Sequence, residues 1–331
     1  MTAVQMESVL AEHFPSVAVE TLEQADFPRL AKDPEAVQAI ERALKQLPTT
    51  HRLSVGDSRS LLSAVPDNSL HLVLTSPPYW TLKRYPENEA QLGHTFDYQE
   101  FLGEIDKIWT ECFRVLVPGG RLIIVVGDVC LSRRRHGTHM VLPLHADIQV
   151  RANRIGFHNL APIIWYKIAN AAFEVENGSS FLGKPYEPNA VIKNDIEYIL
   201  MQRKPGGYRQ TNDTMRLLSL IGEEDHHEWF RQVWDLKGAS TRQHPAPYPL
   251  ELAERLIRMF SFVGDTVLDP FLGTGTTSIA AARWARNSVG FEVEASYSRL
   301  CRQRFADTIR SEGIPATVEP RLTELDAGTL F

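Results

Sequence analysis

The chain has 331 residues, 43% hydrophobic and 23% charged, with 20 Gly and 20 Pro, a globular composition that excludes collagen-like, coiled-coil and disordered chains. Its formal net charge is −6, but residues 1–50 carry −4, residues 312–331 carry −3 and residues 51–311 carry +1. No apolar run approaches the roughly 18 residues of a membrane span, Glu7 and Glu12 stand where a basic leader would, and Cys112, Cys130 and Cys301 lack the spacing of a disulfide framework or zinc site; a cytoplasmic protein is expected.

The first 50 residues read as a helical, peripheral extension. Val37, Ile40, Leu44 and Leu47 fall at helical spacing from Pro34 to Leu47, stopped by Pro48. Short β-type runs then alternate with amphipathic stretches: Arg52–Val55, Leu70–Thr75, Leu122–Val126, Ala161–Tyr166, Glu197–Met201, Thr266–Leu268 and Ser288–Val293. Between them, Tyr98–Leu116 repeats Phe101, Ile105, Ile108, Trp109, Cys112 and Phe113 at spacings of three and four before Pro118-Gly119-Gly120, and Pro249–Phe260 and Thr276–Ala285 look similar. Such alternation predicts an α/β fold, a mostly parallel, doubly wound sheet covered by helices on both faces. From Lys167 to Gln243 the alternation mostly lapses among Gly178, Gly183, Pro185, Pro188, Pro205, Gly206 and Gly207, which predicts a loop-rich recognition insert. The expected units are therefore 1–50, 51–166, 167–243, 244–310 and a tail of 311–331.

Two motifs carry chemistry. Asp269-Pro270-Phe271-Leu272-Gly273-Thr274-Gly275-Thr276-Thr277 lies directly after a strand and before a helix. Its glycines let backbone approach a ligand closely, and a helix N-terminus favours an anionic group. Glu292 ends the next strand, 19 residues beyond Gly273, where an acid can grip ribose hydroxyls. No Lys follows Gly275, against an ATP loop, and Ser278 replaces the third glycine of a dinucleotide loop. Asp269 at the strand tip suits a ligand bearing an ammonium. The bland alternative is a glycine turn capped by threonines.

The second motif, Thr75-Ser76-Pro77-Pro78-Tyr79-Trp80, ends the strand Leu70–Leu74. Paired prolines hold the backbone extended and leave carbonyls free of neighbouring amides, so Ser76 and Pro77 can accept from an exocyclic amino group. Tyr79 offers a face on which a base can stack. The bland alternative is a rigid turn whose aromatics complete a core.

Together these residues resemble the amino-directed DNA methyltransferases, which modify N4 of cytosine or N6 of adenine, over roughly residues 52–305. Val55-Gly56-Asp57-Ser58 resembles the family's adenine-contacting segment, Arg114–Leu122 its post-helix turn, and His244-Pro245-Ala246-Pro247-Tyr248-Pro249 the segment before its glycine loop. Catalytic motif first and cofactor motif last resembles the permuted β subgroup. The resemblance implies a Rossmann-like methyltransferase fold and S-adenosyl-L-methionine as cofactor. It assigns Asp269, Pro270, Phe271 and Gly273, Thr274, Gly275 and Thr276 to the cofactor's pocket and methionine part, Glu292 to its ribose and Asp57 to its adenine. Ser76, Pro77, Pro78 and Tyr79 would form the catalytic loop.

Double-stranded DNA is the implied partner, with a cognate restriction endonuclease as a second and a monomer or homodimer left open. Residues 167–243 would read the site, through side chains such as Lys193, Asn194, Arg203, Lys204, Arg209, Gln210 and Asn212, with Trp80 beside the catalytic loop. Arg133, Arg134 and Arg135, near Arg151 and Arg154 in a stretch whose only acid is Asp147, form a local basic surface open to phosphate contact or plain solvation. His226, His227 and His244 lack the companions of a metal site. Ser76 favours N4 of cytosine, because family members acting on adenine mostly carry Asp or Asn there. An adenine-N6 enzyme, an RNA or protein-glutamine methyltransferase, a non-catalytic DNA-binding regulator and a nicotinamide oxidoreductase remain alternatives.

Overall fold

The computed structural model of the chain describes residues 2–14, 19, 22–82, 88, 90–95, 97–167, 186–188, 191–192, 194–239 and 247–319. In chain order its strands are β1 (Thr49–Val55), β2 (Leu70–Thr75), β3 (Leu116–Val126), β4 (Val129–Leu131), β5 (Met140–Leu142), β6 (His158–Asn159), β7 (Ile163–Tyr166), β8 (Ile196–Arg203), β9 (Val233–Asp235), β10 (Thr266–Asp269), β11 (Asn287–Glu292) and β12 (Ala316–Val318). The main sheet runs β12-β1-β11-β10-β2-β3-β8-β7-β9, with β6 also on β8, and β4 and β5 form a separate hairpin. Strands β12 to β3 of this order are parallel; β8 is antiparallel to β3, β6 and β7. Late strands β10 and β11 thus sit between early strands β1 and β2, the permuted arrangement that the motif order implies.

Burial on both faces explains the strand sequences. Along β2 and β3, Leu70, Val73, Leu122, Ile124 and Val126 enter one core, under the helices Tyr98–Val115 and Leu144–Ile155. Leu72, Leu74, Ile123 and Val125 enter the other, with Trp165, Trp234 and the helix Leu250–Phe260. A strand sandwiched this way reads as an unbroken apolar run, as parallel strands covered by helices do.

Each expected strand and helix occurs, Leu70–Thr75 with its ends as expected and the others with shifted ends. The helix from Pro34 stops at Leu44, with Asp33 accepting from the amides of Glu35 and Ala36. It packs with the helix Ala3–His13 into a third apolar cluster that includes Leu217, Leu218, Val263 and Ala285. β3 begins six residues earlier than its apolar run, at Leu116 rather than Leu122, because the Gly119 amide donates to Lys204 O and the Lys204 amide to Gly120 O, so the glycine turn joins the ladder. Periodicity predicts no helix over Ala295–Glu312, since that helix buries only Ser298, Cys301 and Phe305. β8 and β9 lie within residues 167–243 yet are strands of the main sheet. No described helix is long and apolar enough to cross a membrane.

One buried polar chain ties β1 to the cofactor half. His51 is fully buried opposite Ser288 in the β1–β11 register. Its Nδ1 lies 2.8 Å from Ser288 Oγ and its Nε2 2.9 Å from Thr49 Oγ1, and Ser288 Oγ donates to Ser278 Oγ at 2.9 Å. Burial holds the imidazole at a pKa of about 3, below its ordinary 6.5. A depressed histidine contributes stability that is full above 6.5 and lost as pH falls toward the folded value. His51→Asn, which cannot take up the proton, is therefore expected to lose less stability than the parent between pH 7 and pH 4, measured as the urea midpoint at each pH.

Candidate active site

The C-terminal ends of four neighbouring parallel strands converge on one cleft. β1 leads into Gly56, Asp57 and Ser58, β11 ends in Phe291 and Glu292, β10 leads into Pro270 and Phe271, and β2 leads into Ser76 and Pro78. With Ala90, Gln91, Leu92, Val293 and Tyr297 they line a cleft of ≈ 590 Å³, open to solvent. Open α/β sheets place ligands beyond the carboxyl ends of their strands.

Glu292 is the acid best placed to receive a ligand. It lines the cleft at 7% exposure, with Oε2 accepting from the Gly273 amide at 2.7 Å and Oε1 from the Glu294 amide at 2.8 Å. Burial pushes its pKa up to about 7 against these two bonds, with the Asp269 carboxylate adding to the rise. Asp57 also lines the cleft and caps the turn Ser58–Leu61 by accepting from the Arg59 amide at 2.9 Å. Its carboxylate is held by the Arg59 guanidinium, which reaches Glu104 with its other arm.

The glycine loop is shaped from behind. Gly275 sits at φ +85°, where a Cβ would come within 2.5 Å of Cys301 Sγ, so only glycine fits. Thr274 turns away from the cleft, its carbonyl accepting from Arg304 Nη1 at 2.7 Å, and Thr276 is buried at the helix start. Among the loop residues assigned from sequence, Pro270 and Phe271 reach the cleft wall, while Gly273, Thr274, Gly275 and Thr276 build the turn beneath it.

Asp269 is also behind the wall. It is 2% exposed, and its oxygens accept from Thr75 Oγ1 at 2.6 Å, the Phe271 amide at 3.0 Å, Thr277 Oγ1 at 2.5 Å and Tyr248 OH at 3.4 Å. Burial raises its pKa and those four bonds pull it back. The sequence assigns Asp269 to the cofactor's ammonium; in the structure its oxygens are occupied by Thr75 of β2, the Phe271 amide, Thr277 of the helix Thr276–Arg283 and Tyr248.

The second motif adjoins this network through Thr75. Ser76 and Pro78 line the cleft, and Ser76 Oγ lies 3.5 Å from Tyr79 OH. Tyr79 is 5% exposed and donates to Glu197 Oε2 at 3.1 Å, while Glu197 Oε1 accepts from Lys167 Nζ. Trp80 takes φ +46°, a costly conformation for a large residue, and is held by Nε1 donating to Thr95 O at 2.7 Å and an edge contact with Tyr98.

Residues 70–303 match the family model of the DNA methylases. The chain belongs to this family. Type II methyltransferase M.MjaI of Methanocaldococcus jannaschii is 35% identical over 302 residues, covering 82% of this chain and 96% of that protein. M.MthZI of Methanothermobacter thermautotrophicus is 36% identical over 286 residues, covering 79% and 78%. Among solved structures, a candidate DNA modification methylase of Thermus thermophilus complexed with S-adenosyl-L-methionine superposes with TM-score 0.69 at 53% identity, covering 83% of this chain and all of that one. The PvuII cytosine-N4-specific DNA methyltransferase shares the fold at TM-score 0.57 and 19% identity, covering 82% and 96%.

The cleft of this DNA methylase fits S-adenosyl-L-methionine, the family's methyl donor. Its lining offers two carboxylates, Glu292 and Asp57, able to accept from hydroxyl or amine donors, between the apolar walls of Phe271 and Phe291. The Cys112 and Cys301 thiols are pushed up by burial and offer no nucleophile.

The DNA-facing assignments divide by position. Arg133 and Arg134 are exposed on a turn that follows β4, just past the catalytic end of β3. Arg203, Lys204 and Arg209 stand at the other end of the sheet. Arg203 pairs in register with Arg121 at the start of β3's regular ladder, Lys204 Nζ donates to Asn68 Oδ1 and Leu116 O, and Arg209 pairs with Asp265 at 2.6 Å. The structure therefore does not bring these three to the catalytic loop; the antiparallel direction of β8 carries them away from it. Lys193 and His244 lie outside the described residues, as does the side chain of Arg135. His226 and His227 are exposed on the helix Glu223–Trp229, with His226 stacked on Phe230. Sequence reasoning missed Glu197, whose partner Tyr79 is 118 residues away, and missed Gln91 and Leu92, which carry no motif.

Because the Glu292 pKa is raised from 4.5 to about 7, its favourable proton uptake is full below 4.5 and lost as pH rises through 7. Without cofactor, Glu292→Gln is expected to remove a fall in stability between pH 5 and pH 8 of at most about 3 kcal/mol, read by chemical denaturation. Asp269→Ala would take the acceptor from the buried Thr75 hydroxyl and one partner from each of Thr277 and Tyr248, which also meet each other. At about 1–3 kcal/mol for a buried donor left without its acceptor, a loss of at least that order is expected in the same measurement, with Asp269→Asn losing less.

Proposed function

We propose that this DNA methyltransferase transfers a methyl group from S-adenosyl-L-methionine to N4 of a cytosine flipped out of double-stranded DNA, as the modification arm of a restriction–modification pair. The observation that carries the reading is Ser76, on the cleft wall at the mouth of β2, in the position where the resemblance associates serine with cytosine-N4 chemistry. The likeness to Type II methyltransferases supports a partner nuclease acting on the same site.

The physical problem is the amino nitrogen. Its lone pair is delocalised into the ring, so it attacks poorly. Bound cofactor supplies an electrophilic methyl on a sulfonium. Ser76 Oγ and the Pro77 carbonyl accept the two amino N–H groups, which favours a pyramidal nitrogen with its lone pair aimed into the cleft. The same acceptors stabilise the positive charge that grows on nitrogen during transfer, and a proton then leaves to solvent. Catalysis is thus positioning plus electrostatic stabilisation with no covalent enzyme intermediate.

A base within duplex DNA cannot reach a strand-end cleft, so it must be extruded. Tyr79 and Trp80 follow the Ser76–Pro78 wall, Tyr79 buried behind it and anchored through Glu197. Exposed Arg133 and Arg134 supply phosphate contacts, and the parts of residues 167–243 outside β8 and β9, including Asn194, Gln210 and Asn212, read the site. Asp269 serves the cofactor by holding the loop of Pro270 and Phe271 against the end of β2.

Ser76→Ala is expected to lower kcat about 10- to 150-fold, the loss of one charge-assisted acceptor in the transition state, with cofactor affinity nearly unchanged. The target atom is read by hydrolysing DNA methylated by the parent protein to nucleosides and weighing them. N4-methyldeoxycytidine is expected; N6-methyldeoxyadenosine alone would assign the adenine reading instead.

A further inference from the structure

A second cavity lies at the opposite end of the sheet. It is a concavity of ≈ 980 Å³, open to solvent, between the starts of β2 and β10, the start of β3's ladder and the end of β8, and four arginines, Arg121, Arg203, Arg209 and Arg258, line it together with Asp265. Two of these are balanced. Arg209 Nη1 meets Asp265 Oδ1 at 2.6 Å, and Arg258 pairs with Asp225 and Glu41 while lying 3.9 Å from the Trp284 ring. The other two are not: Arg121 and Arg203 oppose each other directly across the antiparallel β3–β8 ladder, and among the described residues neither meets a carboxylate.

Like charges directly opposite on a sheet destabilise it. Here the pair is half-buried, each guanidinium near an aromatic ring, Arg121 4.5 Å from Phe260 and Arg203 5.5 Å from Tyr208. Burial and the Arg203 charge both push the Arg121 pKa down. Among described residues, Arg203 Nε and Arg209 Nη2 have no acceptor. Two planar forks without counter-charge, at one concave site, match the geometry of a phosphate group.

We propose that this cavity binds a phosphate group, as the free ion or as the phosphate of a small nucleotide. It is separate from the methyl-transfer cleft. Arg121 and Val126 stand five residues apart on β3, or roughly 17 Å at strand spacing, and the catalytic loop lies past Val126's end. Two guanidinium forks converging from directly opposite positions favour a compact dianion over the extended backbone of a duplex. Tyr208, 80% exposed at the rim, offers a face for a base.

The test is calorimetry on the full chain saturated with S-adenosyl-L-methionine, titrated with inorganic phosphate and separately with thymidine 5′-monophosphate, ionic strength being held constant with chloride. Saturable binding of one equivalent is expected, weakened about tenfold or more in Arg121→Gln and in Arg203→Gln. Without phosphate, Arg121→Gln should melt no lower than the parent, because it removes a like-charge opposition. A nucleotide that binds more tightly than phosphate, with the gain lost in Tyr208→Ala, identifies the nucleotide as source; equal affinities identify the free ion. Absence of saturable binding, binding that both glutamine variants retain, displacement of phosphate by a short DNA duplex, or a lower melting temperature of Arg121→Gln in phosphate-free buffer would each overturn the assignment.

Discussion

The buried carboxylate of Asp269 is the constraint on which the rest of the site depends. A carboxylate with 2% exposure is tolerable only if its oxygens are satisfied, and here the donors come from three separate elements. Thr75 brings in the end of β2, Thr277 the helix Thr276–Arg283, and Tyr248 the segment that leads into the helix Leu250–Phe260. The two halves of the site arrive from positions 194 residues apart. Ser76 follows Thr75 directly, and Pro270 and Phe271 follow Asp269, so one hydrogen-bonded acid sets the distance between the Ser76 wall and the Pro270–Phe271 wall of the cleft.

That arrangement makes the chain order immaterial to the chemistry. β10 and β11 could precede β1 or follow β8, as they do here, because pairing with β1 and β2 is decided by register and burial. Both orders leave Asp57, Ser76, Asp269 and Glu292 at the same edge, where parallel strands all end together. An antiparallel neighbour does the opposite. β8 runs against β3, which puts Glu197 beside the catalytic loop at its start and Arg203 at the far edge by its end.

Legibility follows the range of the interactions. Strands β2 and β3 are readable because strands buried on both faces read as apolar runs, and the helix Tyr98–Val115 because its buried side repeats at three and four. Gly275 is readable because a left-handed turn against Cys301 admits no side chain. The helix Ala295–Glu312 is not, since a helix that buries three residues leaves no stripe. The motif marks Asp269 but not its partners: a strand-tip acid looks the same whether it faces a ligand or three hydroxyls from elsewhere. Composition groups Arg203, Lys204 and Arg209 with a recognition segment, yet it carries no information about which end of a strand a residue occupies.

The charge distribution gains its meaning from the same geometry. A chain of net −6 that acts on a polyanion must keep its acid away from the phosphates, and the fold does this by segregation. The acidic first 50 residues pack against Val263 and Ala285, which immediately precede β10 and Arg286-β11 at the ends of those strands remote from the cleft. At the cleft, Asp57 is paired with Arg59 and burial raises the Glu292 pKa, while Asp269 lies buried behind the wall; Arg133 and Arg134 remain exposed to solvent past the end of β3. Opposite, the excess cation of Arg121 and Arg203 faces the side of the sheet that carries the acidic layer, and Glu41 of that layer already reaches Arg258 there. The exposed Arg133 and Arg134 at one edge and the opposed Arg121 and Arg203 at the other are thus both placed by the direction in which the strands run.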